Sequence, residues 1–482
     1  MLWKKKSQNG NSKSKILKRQ LATETTATTD LLVSERKQIR DIDPAGRVNR
    51  NPDVVYRSET KGGESDGLLL FNYGSRAIHY LEDFSKDIWI GCDGATISEI
   101  AKKTGITDTH VLTTFLMELK KRGLVQFTNT ELEDSGWEKT SSEENGGMWR
   151  QRVYFDGPLF VQFDCTNKCN LNCRHCVTNS GQPVEGEITT SEALKLIERL
   201  GTLGVFQIGF SGGEPLMRPD IFELMNATRE KGIKLQLTTN ATLIDDEIAL
   251  KLSEFELVTV GVSLEGGSKE SYEYFRGEGN FEKFIEGVRT LKKHGLPIKF
   301  KSAILRKNLT EIDSIINLAI EEGVEAVDMF LFYPQGRGEH LAKETLNPHE
   351  IKTFLEKLSK KKQELQGIIS IDVDDKPNAF LVDQTLSHST CGAGVYWAEV
   401  LPNGNVVPCV FFKDTVAGNI IKSDFKEAWD SKVWEPFRDR RGIKGVCSKC
   451  RHLTRCGGGC RANGYMEKGD FLAEDTMCWY EE

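Results

Sequence analysis

The stretch Phe163 to Cys176, F-D-C-T-N-K-C-N-L-N-C-R-H-C, decides how the rest of the chain is read. Cys169, Cys173 and Cys176 stand in C-x3-C-x2-C spacing, directly after an apolar run that reads as a strand. The count of three carries the information. A structural zinc site takes four ligands, and so does an iron–sulfur cubane that does no chemistry of its own. Three thiolates on a four-iron cluster leave one iron open to another ligand. The competing reading is three cysteines of an ordinary loop, buried or zinc-bound.

Outward from this stretch, the chain has 482 residues, room for two to four domains of about 100–200 residues each. Its net charge is −7 and its hydrophobic content 38%, ordinary values for a soluble globular protein. No apolar run approaches the length of about 18 residues that a membrane span needs. Met1 to Thr23 holds seven Lys/Arg and no acid but lacks the apolar core of a signal peptide. Ten of the twelve cysteines sit in clusters with metal-type spacing, which fits a reducing compartment and metal thiolates, hence a cytoplasmic protein, better than disulfides.

Residues 1–60 are polar and without sustained periodicity and read as a flexible basic arm. In the module 65–132, Leu68–Phe71 reads as a strand and Ala77–Phe84 as a helix. Thr96-Ile97-Ser98-Glu99 is a capping box opening a second helix that stops near Gly105. Asp108 can cap a third, in which Leu112, Phe115, Leu116 and Leu119 make one apolar face. Gly123 ends it and Leu124–Phe127 is a strand. Strand, three helices, strand predicts a winged helix-turn-helix-like domain. Reading DNA would ask for a basic recognition helix, yet His110 to Lys121 carries Glu118 and few positive charges before its end. Nucleic acid is therefore an improbable partner. Cys92 reads as a lone packed thiol.

Ser135 to Gly147 is acidic and rich in Ser and Gly, so 133–150 reads as a linker. Over 151–345 strands and helices alternate, with strands at Leu159–Phe163, Phe206–Phe210, Lys234–Leu237, Leu257–Val262, Lys299–Ile304 and Val327–Phe332. Between them lie amphipathic helices such as Phe281–His294, with Phe281, Phe284, Ile285, Val288 and Leu291 on one face. Six such βα units predict an α/β fold with a parallel sheet and right-handed crossovers. Residues 346–389 supply a capped polar helix from Asn347-Pro348 and a strand at Ile369–Val373. Residues 390–482 are glycine- and cysteine-rich and read as a separate unit.

The cysteine loop after a first strand resembles that of the radical S-adenosylmethionine (SAM) superfamily, whose fold would make the six units a partial (β/α)6 barrel. The resemblance implies that Cys169, Cys173 and Cys176 hold a [4Fe-4S] cluster whose open iron binds SAM. One electron from that cluster would then cleave SAM, and the 5′-deoxyadenosyl radical would abstract hydrogen from an unactivated carbon. Ser211-Gly212-Gly213-Glu214-Pro215 resembles the family's GGEP loop, which implies that Gly213 and Glu214 hold the methionine ammonium. Thr239-Asn240 ends the third strand, with Asn240 toward the ribose. Ser263-Leu264-Glu265-Gly266 resembles the family's S-L-D-G segment, with Glu in place of Asp. Arg276 would pair with the methionine carboxylate. For Asn240, Ser263 and Arg276, helix capping or surface pairing is the alternative. Pro334-Gln335-Gly336-Arg337-Gly338 is a further candidate contact to substrate or nucleoside.

Cys391, Cys409, Cys447, Cys450, Cys456, Cys460 and Cys478 match the spacing of the SPASM domain, which houses auxiliary [4Fe-4S] clusters. By that resemblance Cys447, Cys450, Cys456 and Cys478 hold one cluster, and Cys391, Cys409 and Cys460 a second with one iron lacking a cysteine. A zinc ribbon is the alternative for Cys447 to Cys460. Cys165 belongs to neither pattern and reads as packed. The N-terminal module resembles the PqqD-like peptide-recognition domain, in which a leader peptide adds a strand to a sheet edge. Together the parts look like the enzymes that modify ribosomally made precursor peptides, closest to the sactionine-type maturases, which form Cys sulfur-to-carbon thioethers. Such an enzyme needs an external electron donor such as flavodoxin or ferredoxin. Carbon–carbon crosslinking, epimerisation or maturation of a protein-derived cofactor are alternatives within the class. An iron–sulfur redox sensor that binds DNA is the alternative outside it.

Overall fold

In the computed structural model, residues 47–60, 66–74, 77–81, 83–106, 109–128, 154–374, 376–386 and 390–480 are described. They fall into two compact units divided near residue 140.

In the N-terminal unit, β1 (Arg47–Arg50), β2 (Val54–Thr60), β3 (Asp66–Asn72) and β4 (Ala77–Leu81) precede the helix Asp83–Gly91. Next come β5 (Ala95–Thr96), the helices Ile97–Thr104 and Thr109–Lys121, and β6 (Val125–Thr128). β2, β3 and β4 form one antiparallel sheet, and β1 lies between β5 and β6 in another. The capping box forms as its residues dictate: Glu99 N–H donates to the Thr96 hydroxyl, and the Glu99 carboxylate accepts from the Thr96 N–H. Gly105 ends that helix in the left-handed region, φ 72°. Leu112, Phe115, Leu116 and Leu119 are buried against Leu68, Leu70 and Trp89.

Two expectations are corrected here. Residues 47–60 are not part of an arm: β1 and β2 pair with β6 and β3, and these polar strands owe their order to partners elsewhere in the chain. Ala77–Leu81 is a strand rather than a helix. It pairs antiparallel with β3 and buries His79 and Leu81 in a period of two. Residues 1–46, Asp108 and the whole linker, 133–150, lie outside the described residues.

The C-terminal unit is built on parallel strands taken in sequence order: β7 (Phe160–Thr166), β8 (Gln207–Gly212), β9 (Lys234–Thr239), β10 (Leu257–Ser263), β11 (Ile298–Ile304) and β12 (Ala326–Leu331). Buried positions alternate in β9 and β11, where Lys234, Gln236, Lys299 and Lys301 are half-buried between buried apolar residues, whereas β12 is buried almost throughout. Phe163, Phe210, Leu237, Val262 and Phe300 are fully buried in one core, with the Phe163 and Phe210 rings 5.9 Å apart. The helix Thr190–Thr202 starts on a second capping box, Thr189 with Glu192.

The sheet does not stop at six strands. β13 (Ser370–Val373) adds parallel to β12, and β14 (Trp397–Val400) adds parallel to β7. β15 (Asn405–Val407) and β16 (Gly418–Asn419) continue it antiparallel, to ten strands. The expectation of a separate unit over 390–482 is therefore corrected: its first strands cover the edge that β7 would otherwise leave open. Among the described residues no helix is long and apolar enough to cross a membrane.

Phe163→Ala should lower stability by about 3–5 kcal/mol, because the cavity adds to the lost burial. The check is the denaturant midpoint of the C-terminal unit, which should fall with its slope unchanged. An unmoved midpoint would show that Phe163 is not part of the core.

Candidate iron–sulfur and cofactor site

The cysteine loop leaves the C-terminal end of β7, where loops of a parallel barrel gather. Its path is held by backbone bonds: Cys169 N–H donates to Gly181 O (3.0 Å) and Gly181 N–H to Asn167 O (2.9 Å). Glu187 closes the turn, accepting from Asn167 N–H (2.7 Å) and the Thr166 hydroxyl (2.9 Å). Burial would raise the pKa of Cys176, but the Thr178 hydroxyl and the Ser180 N–H on its sulfur carry it below the usual thiol value. Burial pushes Cys173 up to about 11 and also raises Cys169.

The loop after β8 passes directly against this segment. Gly213 N–H donates to Thr166 O (2.8 Å) and Glu214 N–H to Lys168 O (2.9 Å). Gly212 has φ 118°, and a Cβ at Gly212 or Gly213 would collide with the carbonyls of Thr166 or Lys168. Only glycines let the two backbones approach so closely.

Glu214 is completely buried. Its carboxylate accepts from Thr239 Oγ1 (2.8 Å), Asn240 N–H (2.8 Å) and, more weakly, Leu216 N–H (3.3 Å). Burial outweighs these bonds and pushes its carboxyl up to about 7. A buried carboxyl with no cation bonded to it suits a cationic partner.

Asn240 stands beside it, with its side chain already engaged. Its amide donates to Asn170 Oδ1 in the cysteine loop (2.9 Å), and its oxygen accepts from Thr242 N–H (2.9 Å) and Oγ1 (2.6 Å). Ser263 ends β10, half-buried. Arg276 is buried and holds Glu265 in a two-point ion pair, Nε to Oε2 at 2.5 Å and Nη2 to Oε1 at 2.8 Å. Its Nη1 lies 3.8 Å from Cys173 Sγ. His175 Nε2 is 3.3 Å from Glu265. Burial alone would raise the Glu265 carboxyl; Arg276 and then His175 hold it down at about 2. The Glu of S-L-E-G thus meets Arg276 itself, which the sequence pattern did not indicate.

Arg337, within the 334–338 segment that the sequence offered as a contact to substrate or nucleoside, straps the cysteine loop: its side chain donates to Cys173 O (2.9 Å) and Ser180 O (2.6 Å), and its N–H to Cys176 O (3.0 Å). Gly336 before it, at φ 58°, lies where a Cβ would press on Val177 O and Cys176 O. Other neighbours of the loop escaped the sequence reading. Lys413 Nζ donates to Val177 O (2.6 Å), tying the chain after Cys409 to the loop after Cys176. Asp164 on β7 accepts from the Ser211 hydroxyl, and burial raises its carboxyl and that of Glu399 on β14. The proximity of carboxylate-bearing strands was the missing signal.

Six of the seven C-terminal cysteines fall into two sets of neighbours. Cys409 has Cys391 and Cys460 as charge neighbours, whereas Cys456 has Cys478 and Cys447. Cys478 Sγ accepts from Asn378 Nδ2 (3.2 Å). Among the described residues no three His, Cys, Asp or Glu side chains converge as they would on a single metal ion; thiolates on separate corners of a cluster need not converge. Cys165 and Cys92 are packed thiols, bonded to Ser211 O (3.4 Å) and Ile88 O (3.1 Å).

Comparison with known proteins agrees with this chemistry. The radical SAM superfamily profile matches residues 164–319, and an iron–sulfur cluster-binding domain, SPASM, matches residues 391–451. The chain is 32% identical over 346 residues to the AdoMet-dependent heme synthase of Methanosarcina barkeri, covering 67% of this chain and 97% of that one. It is 28% identical over 338 residues to the mycofactocin maturase MftC of Mycobacterium tuberculosis, covering 67% of this chain and 83% of that one. In fold it is similar to Streptococcus suis SuiB bound to precursor peptide SuiA, with TM-score 0.68 and 17% identity over 90% of this chain and all of that one. The chain belongs to the radical SAM superfamily. It is an enzyme that binds a [4Fe-4S] cluster and SAM and carries a SPASM iron–sulfur domain.

The raised Glu214 has a consequence for stability. The unfolded chain releases this proton near 4.5 and the folded chain near 7, so the folded state loses stability as pH rises between those values. The loss reaches about 3 kcal/mol, at about 1.4 kcal/mol per unit. In SAM-free protein the melting temperature of Glu214→Gln should therefore gain on that of the parent from pH 4.5 to 7. Parallel curves would contradict the assignment.

Proposed function

We propose that this enzyme modifies a ribosomally made precursor peptide, joining a peptide Cys sulfur to a carbon of another residue. The observation that carries the peptide reading is the extent of the SuiB likeness. At 90% of this chain it must run into the N-terminal unit, whereas the heme synthase match spans only 67%. SuiB is described with a precursor peptide bound. In this reading the N-terminal unit is a PqqD-like, winged helix-turn-helix-like domain. β2 and β4 are the outer strands of its first sheet, and the leader peptide adds to one of them.

When bound, SAM and the reduced cluster supply hydrogen abstraction from an unactivated carbon. The chain's own groups bind and orient. Cys169, Cys173 and Cys176 hold the cluster and leave one iron open. Glu214 takes the methionine ammonium, and that cation offsets the cost of ionising a buried carboxyl. Gly213 lets the backbone come against it. Arg276 keeps one edge on Glu265 and offers its remaining donor edge to the methionine carboxylate. Asn240 orders the cysteine loop through Asn170 and lines the nucleoside side, with Ser263 beside it. Cys447, Cys450, Cys456 and Cys478 hold one auxiliary [4Fe-4S] cluster, and Cys391, Cys409 and Cys460 another. An external flavodoxin or ferredoxin in the cytoplasm supplies electrons.

A second reading rests on the 32% identity to a heme synthase: the substrate is an iron tetrapyrrole. The two separate in one assay. The anaerobically reduced enzyme with SAM and a short Cys-containing precursor peptide should release 5′-deoxyadenosine and leave the peptide lighter by two hydrogens per link. A peptide of unchanged mass, with an iron tetrapyrrole consumed instead, would favour the second reading. Cys176→Ala should lose SAM cleavage and about four of roughly twelve iron atoms per chain, one cubane of three. Full cleavage by that variant would sink the cluster assignment.

A further inference from the structure

Cys456 and Cys460 are separated by three glycines, Gly457, Gly458 and Gly459, all at positive φ (64°, 83° and 75°). Two arginines occupy the space that side chains would need. A Cβ at Gly457 would collide with the guanidinium of Arg440, and one at Gly458 would lie 2.9 Å from Nη2 of Arg461. Arg461 is only 1% exposed. Its Nη1 donates to Ala473 O (2.7 Å) and, at 3.4 Å, to Phe471 O. Its Nε and Nη2 have no hydrogen-bond partner among the described residues.

The buried carboxylate of this region does not serve Arg461. Asp475 accepts from Cys460 N–H (3.1 Å), Asn463 Nδ2 (2.7 Å) and Met477 N–H (3.0 Å), and Lys376 Nζ lies 3.5 Å from it. Arg440 donates to the carbonyls of Cys391 (2.5 Å) and Gly457 (3.3 Å). Among the described residues neither arginine forms an ion pair. Their charge neighbours are cysteines of both sets, Cys447 for Arg461 and Cys391 and Cys456 for Arg440. A buried guanidinium with two unsatisfied donors is costly unless an anion meets it, and a thiolate-ligated cluster is such an anion. At the N-terminal cysteine loop the situation differs, because Arg276 is already neutralised by Glu265.

We propose that Arg461, with Arg440 beside it, is the buried counter-cation of the SPASM clusters. Its free Nε and Nη2 edge donates to cluster sulfur and raises the reduction potential of these clusters above that of the cluster at Cys169, Cys173 and Cys176. Charge and hydrogen bonds to sulfur set such potentials. Closing a thioether removes a hydrogen atom, a proton and an electron from the peptide, and clusters held by these cysteines would supply an acceptor for that electron. The proposal rests on the reading that the seven cysteines hold clusters. Iron content of the parent enzyme tests that reading separately: roughly four iron atoms per chain would remove the clusters before Arg461 is touched.

The test is a redox titration, followed by electron paramagnetic resonance, of the iron-loaded full chain carrying Arg461→Gln. The SPASM signals should shift negative by at least tenfold in their reduction equilibrium, about 59 mV for one electron. The signal of the N-terminal cluster, assigned from Cys176→Ala, should hold its potential. Arg461→Lys, which keeps the charge but loses the paired N–H edge, should shift less. Unchanged SPASM potentials at full iron content in either variant would overturn the proposal. Loss of SPASM iron from a variant that melts like the parent supports it. Loss of iron together with unfolding in both variants would instead assign Arg461 to packing and overturn it.

Discussion

The close crossing of two loops governs the geometry of the site. Gly212 and Gly213, at the end of β8, run against Thr166 to Lys168, at the end of β7, near enough that backbone N–H groups bond backbone carbonyls across the gap. That contact fixes the cysteine loop to the scaffold and carries Glu214 into the interior beneath it. Glu214 then bonds the Asn240 N–H, and the Asn240 amide returns to the cysteine loop at Asn170. Three strand ends are thereby tied into one ring of hydrogen bonds. Any side chain at Gly213 would open the ring at its narrowest point.

Buried charge is the second organising constraint. Removing a charge from water is tolerated only when a partner and hydrogen bonds compensate it, and the groups around the cysteines obey this unequally. Arg276 and Glu265 satisfy one another, and Asp164 accepts a hydrogen bond from Ser211. Among the described residues Glu214 and Arg461 find no opposite charge in hydrogen-bond reach. One is a carboxyl beside the first cysteine loop and the other a guanidinium next to Cys460, so each suits a ligand of opposite charge.

One sheet holds both cysteine regions. β14 pairs directly with β7, so the strand that leads into Cys169 and the strand that leads toward Cys409 are neighbours. Lys413 then closes the gap at the loop ends by donating to Val177 O. The strands flanking Cys409 are thus part of the sheet that carries the first cysteine loop.

Much of this was legible in the residues themselves. The six parallel strands were legible from their buried apolar residues, even in β9 and β11, where half-buried Lys or Gln alternate with them. The Thr96 capping box is local chemistry, complete within four residues. The C-x3-C-x2-C spacing and the G-G-E-P loop are likewise local, since their meaning lies in the number and spacing of ligands. β1, β2 and β14 were not legible: they are short or polar, and only a partner strand distant in sequence gives them order. The same is true of Arg337 strapping the cysteine loop, of Glu265 claiming one edge of Arg276, and of Arg461 left with two free donors. Which groups are buried together, and which of them lack a partner, depends on how distant segments pack. Sequence determined the chemistry available to this protein, and tertiary structure decided which charges were neutralised and which were left for a cofactor.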